Sequence, residues 1–221
     1  MTRSAAVPYT APFVVFLAFL AVHAVRPLPD FAEQAVGLAG MTLVLCFLAR
    51  PVLDFHVHRW VSTLLVGVGI FVIWIAPDLL FPNYRHSLLF ENVVMGTARS
   101  SLSEGSRHDP VVLAMRVIRS VVIVPIAEEL FWRGWMMRWL IDPDFQRVPL
   151  GAYTATSFWT VAVLFSAEHG PYWDVGLVAG VIFNVWMMRT KSLGDLILAH
   201  AVTNACLGAY VIAAGKWEYW L

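Results

Sequence analysis

The sequence is short of charge. Only 14% of its 221 residues are Asp, Glu, Lys or Arg, against about 25% in an ordinary soluble domain. Fifteen basic and fifteen acidic residues cancel, so the basic excess that marks a nucleic-acid partner is missing. Cysteine is scarcer still. Cys46 and Cys206 each sit in an apolar run, and neither belongs to a CxxC pair. That argues against a disulfide framework or a thiolate zinc site and leaves both as small buried hydrophobes. The sequence also lacks internal repeats, low-complexity tracts and a linker to a second domain. What remains is 59% hydrophobic, with a mean hydropathy of +0.70. The composition predicts an all-α polytopic transmembrane helical bundle, one integral membrane domain over residues 1–221, in contact with membrane lipid.

A span needs about 20 mostly apolar residues. Seven candidate stretches follow: 10–25, 32–48, 61–81, 111–140, 155–168, 175–188 and 193–214. Proline and charged residues punctuate most of their ends, as helix breaks should. The first stretch follows one basic residue, Arg3, and has no convincing small-x-small cleavage signal, so it reads as a retained span rather than a signal peptide. Residues 82–110 are mixed and moderately charged. Within them 90–102 fits a short amphipathic helix at the interface, a lid or a plain connector. Residues 1–110 thus form the N-terminal spans and connector. Arg3, Arg50, Arg59, Arg138, Arg147, Arg189 and Lys191 fall on one side of seven spans, and Arg85, Arg99 and Arg107 on the other. The positive-inside rule puts the N-terminus in the cytoplasm and the C-terminus outside, with "KWEYWL" as an aromatic interface anchor.

The stretch "PIAEELFWRGWMM", residues 125–137, places two carboxylates and an arginine inside an apolar helix. Each such group costs on the order of 2.5–3.5 kcal/mol by insertion scales, so it needs partners and a role. Residues four apart on a helix differ by about 40° around its axis, and neighbours by about 100°. Glu129 and Arg133 therefore share a face and can pair, while Glu128 points elsewhere. That leaves Glu128 as a base aimed at a cavity, with Glu129 and Arg133 as support. "FSAEH" places Phe165 and His169 four apart at the end of the fifth stretch. "HAVTN" places His200 and Asn204 four apart in the seventh. His200 and Asn204 can donate to one point, as an oxyanion requires. Glu128 with His169 can activate a water. A base, a water and a two-donor hole together suit amide hydrolysis. Glu168, as the neighbour of His169, points about 100° away on a helix and stays outside this set.

The three patterns EExxxR, FxxxH and HxxxN occur in that order on separate spans. They resemble the CAAX prenyl protease and bacteriocin-processing family of intramembrane glutamate proteases. The resemblance covers 111–215, as a catalytic core. Segments such as "WRGWMMRWL" also look like a bacterial exosortase-associated subgroup. The resemblance implies about seven to eight spans around a polar catalytic cavity within the membrane core. It implies an endopeptidase acting on a membrane-anchored or hydrophobic peptide without a metal or other cofactor. Glu128, His169, His200 and Asn204 would be catalytic; Glu129, Arg133 and Phe165 would support them. It also implies the bacterial inner membrane and protein-sorting machinery as a partner.

Plainer readings stand beside these. The charges of the motif also suit a structural network, His169 a helix cap, and His200 with Asn204 interhelical glue. Arg116 and Arg119 suit snorkelling to the interface more simply than contact with a substrate carboxylate. His56 and His58 read as part of a solvated loop. Trp132 and Trp135 flank the motif and could wall a cavity. Two other functions remain open. Glu128, Glu129, His169 and His200 could ligate zinc, although no HExxH is present. The fold could equally bind a hydrophobic peptide as an immunity or scaffold protein.

Overall fold

The computed structural model describes residues 5–221, and Arg3 lies outside the described residues. Within them the chain forms seven principal helices: α1 (Val7–Val25), α2 (Asp30–Val52), α3 (Trp60–Leu80), α4 (Pro110–Trp139), α5 (Ala155–Ala167), α6 (Trp173–Thr190) and α7 (Leu193–Ala214). Each falls within a few residues of a stretch read from hydropathy. Capping residues set several ends. The Asp109 side chain accepts from the Val111 and Val112 amides ahead of α4, with Pro110 in the first position, where its missing N–H costs nothing. Thr154 and Ser192 cap α5 and α7 in the same way. Gly215, with φ of 65°, closes α7 in the left-handed region that glycine tolerates.

Five helices, α1 to α4 and α7, are long and apolar enough to cross a bilayer. The other two of the seven stretches, α5 and α6, fall short of that measure. The first has only 13 residues, about 20 Å of helix. The second has 18 and carries Asp174, Asn184 and Arg189. They pair as a hairpin with one face against the core and another exposed, at Trp159, Val163 and Val178 among others. Gly180 lets them meet closely, since a Cβ there would lie 3.2 Å from the Ala162 carbonyl oxygen. The apolar residues of α1 to α3 are largely on the outside, among them Val14, Leu65 and Phe47, as a lipid-facing surface should be. Cys46 is exposed on that surface and Cys206 half-buried, both as free thiols. They are therefore not the buried residues expected; each follows the face of its helix rather than the apolar run around it.

The two ends of the bundle are built differently. At one end, the buried Asp195 in the first turn of α7 accepts from the amides of His58 and Arg59 and from Thr63 Oγ1, at 2.7–3.0 Å. Ser192 Oγ donates to the His56 carbonyl. The loop holding His56 and His58 is thus pinned to α7 through its backbone, and the two imidazoles meet edge to face. At the other end, residues 82–105 form turns, which excludes the amphipathic helix among the three readings of 90–102. The Asn92 side chain accepts from the amides of Val94 and Met95, and Gly96 turns the chain at φ +80°. Local side-chain bonds of this kind displace the helix. This segment and the C-terminal residues lie over the α5–α6 turn. Ser101 N–H donates to the Trp220 carbonyl, and Tyr172 Oη to the Glu218 carbonyl. Arg85 ties the layer down, bonding Asp78 of α3, the Pro171 carbonyl and Asp174 of α6.

Candidate active site

Helix α4 is not regular. It widens into π-helical turns over Arg119–Ile123 and Leu130–Met136, on either side of the α-helical Val124–Glu129. Pro125 explains the first. It has no N–H to give to a carbonyl four residues back, and its ring clashes with one. Val124 N–H bonds Arg119 O, five residues back. Continuing that ladder would set Ser120 O opposite Pro125, which cannot donate. Asn204 Nδ2 fills the gap from α7, donating to Ser120 O at 2.8 Å. Such π turns recur at functional sites.

The motif divides into two clusters. The first is closed. Glu129 and Arg133 have no exposed surface, and Arg133 Nη1 donates to both Glu129 oxygens at 3.0 Å. Arg133 Nε donates to Asn184 Oδ1, and Asn184 Nδ2 in turn to the Phe158 carbonyl. The guanidinium lies over the Phe165 ring, 4.5 Å from its centre, and His200 Nδ1 meets Glu129 Oε1 at 2.7 Å. A carboxylate already held by arginine has no hydrogen to give, so Nδ1 is the donor and Nε2 is turned toward the cavity. Nε2 lies 3.9 Å from Glu128 Oε2. The pairing of Glu129 with Arg133, and the different face of Glu128, match the helical spacing. Asn184 had no sequence signal beyond being a polar residue in an apolar run.

The second cluster is open. Glu128 is 5% exposed, and its Oε2 has no hydrogen-bond partner. Beside it lie Glu168 and His169; one ligand atom from each of the three lies within 4.8 Å of the other two. His169 Nδ1 is paired with the Phe165 carbonyl at 2.7 Å. A carbonyl only accepts, so the ring donates there and Nε2 keeps its lone pair. Trp132 Nε1 donates to Glu168 Oε1 at 3.1 Å, while Glu168 Oε2 is buried without a partner. Placing Glu168 away from His169 by helical spacing was wrong. Helix α5 ends at Ala167, and the His169 amide bonds three residues back to Ser166 O in a tighter turn. The 100° rule ends with the helix.

Both clusters border one cavity of about 440 Å³, within the usual range for ligand pockets. Glu128, Phe165, Glu168, His169, His200 and Asn204 all line it, and Trp74 and Tyr172 wall it. Arg116 and Arg119 line it as well. Arg119 is 8% exposed, and Arg116 Nη2 donates to the Leu221 carbonyl. Trp132 touches the site through Glu168; Trp135 is not part of the lining. The zinc set read from the sequence does not assemble, because Glu129 is taken up by Arg133 and His200. Among the described residues, those able to hold a cation together are Glu128, Glu168 and His169.

The chain has no significant match among curated proteins or solved structures. Its residues 110–206, which hold all three motifs, match the family model described as Type II CAAX prenyl endopeptidase Rce1-like.

Proposed function

We propose that this protein is an intramembrane endopeptidase that hydrolyses a peptide bond of a membrane-anchored or hydrophobic substrate with a glutamate-activated water. The observation that carries the reading is the buried, unpartnered Glu128 oxygen facing a cavity shared with His169, His200 and Asn204. Glu128 takes a proton from water as the oxygen attacks the scissile carbonyl. The developing oxyanion is met by Asn204 Nδ2, which has a second N–H beyond the one given to Ser120 O. His200 Nε2 is the other donor. With Nδ1–H given to Glu129, Nε2 carries a proton only in the imidazolium form, which Glu128 and Glu129 flank. The C–N bond then breaks, and the leaving nitrogen takes a proton from a carboxyl group of the cavity. Every step uses groups of the chain itself and none calls for a metal. The apolar helices and the Rce1-like match support a membrane protease. The bacterial inner membrane and a protein-sorting partner rest on the subgroup resemblance of the sequence.

The test compares membrane-protein termini in cells with the parental protein or Glu128→Gln. Termini that vanish in the variant, with expression unchanged, support the reading and identify the substrate. Normal processing by the variant would overturn it.

A further inference from the structure

We infer that Glu168 is a further catalytic residue, which holds the attacking water together with Glu128 and His169; the inference rests on the hydrolytic reading above. Three atoms no more than 4.8 Å apart share a point no farther than 4.8 Å divided by √3, about 2.8 Å, from each. That is the length of a hydrogen bond to water. The position is also required by what surrounds it. Buried polar atoms in native proteins are paired almost without exception, yet Glu128 Oε2 and Glu168 Oε2 both lack a partner. Neither carboxylate can satisfy the other without a hydrogen between them.

Counting hydrogens gives the roles. Glu128, Glu168 and His169 Nε2 are three acceptors, and one water brings two hydrogens. The trio therefore carries one proton of its own. On Glu168 that proton points at the water oxygen, while the water donates to Glu128 and to His169. In the reaction the water loses one proton to Glu128, and its oxygen bonds to the carbonyl carbon. As the C–N bond breaks, Glu168 gives its proton to the leaving nitrogen. Peptide and water have become acid and amine, and one proton has moved from Glu168 to Glu128. Exchange between these two neighbours resets the site. Trp132 Nε1, bonded to the other Glu168 oxygen, fixes the direction of the carboxyl group. The charged and titratable groups facing the trio are His200, Glu129 and Arg133 on the inner side, and Arg116, Arg119, Tyr172 and Tyr219 along the cavity.

The experiment measures cleavage of a peptide spanning a site found by the termini comparison, with purified protein in lipid. Glu168→Gln keeps the shape and the acceptor for Trp132 but cannot transfer the proton. We expect kcat to fall by about 10² or more, KM to stay within about twofold, and the thermal midpoint to hold. The bell-shaped pH profile of kcat should lose one limb. A substrate-free readout is the infrared C=O band of a buried carboxylic acid, present in the parental protein and absent in Glu168→Gln. A parental kcat and pH profile in this variant overturn the inference. So does an equal loss in Trp132→Phe, which would make Glu168 structural. Chelator-sensitive activity restored by a divalent cation also overturns it, in favour of a metal on the same three ligands. If Glu128→Gln is dead and Glu168→Gln is active, only this inference falls; if Glu128→Gln is active, the hydrolytic reading falls first.

Discussion

Glu128 and Glu129 are neighbours in one helix and have opposite surroundings. Glu129 is met by Arg133 and His200, and Arg133 is held in turn by Asn184 and two aromatic rings. Glu128 has no hydrogen bond at its inner oxygen and looks into open volume. A satisfied ion network fixes geometry; an unsatisfied carboxyl group beside a cavity is available to bond something else. The difference teaches that a doubled acidic motif can be one structural group and one reactive group, separated by a single helical step.

Substitutions on the two sides should behave differently. The largest effect expected is on cleavage: Glu128→Gln should lower kcat by about 10²–10⁴, the range of general base catalysis, with no loss of thermal stability. A variant that unfolds instead would erase the contrast. Next is the closed side. Arg133→Ala leaves Glu129 buried without its cation and should destabilise by about 3–5 kcal/mol, read as a drop in the unfolding midpoint in detergent. Glu129→Gln combined with Arg133→Met removes both charges and should be milder than either single change, a double-mutant cycle that isolates the pair. Asn184→Ala leaves Arg133 Nε unpaired, removes the bond to the Phe158 carbonyl and should cost about 1–3 kcal/mol. Activity would fall with stability here, through His200, and not independently of it. The smallest effect belongs to Trp132→Phe, which removes one bond to Glu168. It should cost about 1 kcal/mol at most and lower kcat less than Glu168→Gln does.

Much of this is legible in the amino-acid sequence. Long apolar stretches fixed seven helices to within a few residues, because hydropathy and proline breaks are local signals. The Glu129–Arg133 pair and the separate face of Glu128 followed from helical spacing. His169, His200 and Asn204 were brought to one cavity with Glu128, as the three motifs implied. What was not legible depended on the chain leaving regular geometry. The nearness of Glu168 to Glu128 and His169 is not legible, because Glu168 stands just past the end of α5, where the helical angle no longer applies. Residues 90–102 turned instead of coiling because Asn92 and Gly96 offered local bonds. Arg116 and Arg119 looked like rim residues because nothing in their spacing shows that α4 borders a cavity along three turns.

Proline 125 has a consequence beyond bending its helix. By leaving Ser120 O without a ladder partner it makes the amide of Asn204, 79 positions later, part of the integrity of α4. The two sites should therefore drift together in related sequences. An engineer who replaces Asn204 to probe chemistry will also unseal a backbone carbonyl, and restoring an N–H at 125 is the compensating change that separates the two effects.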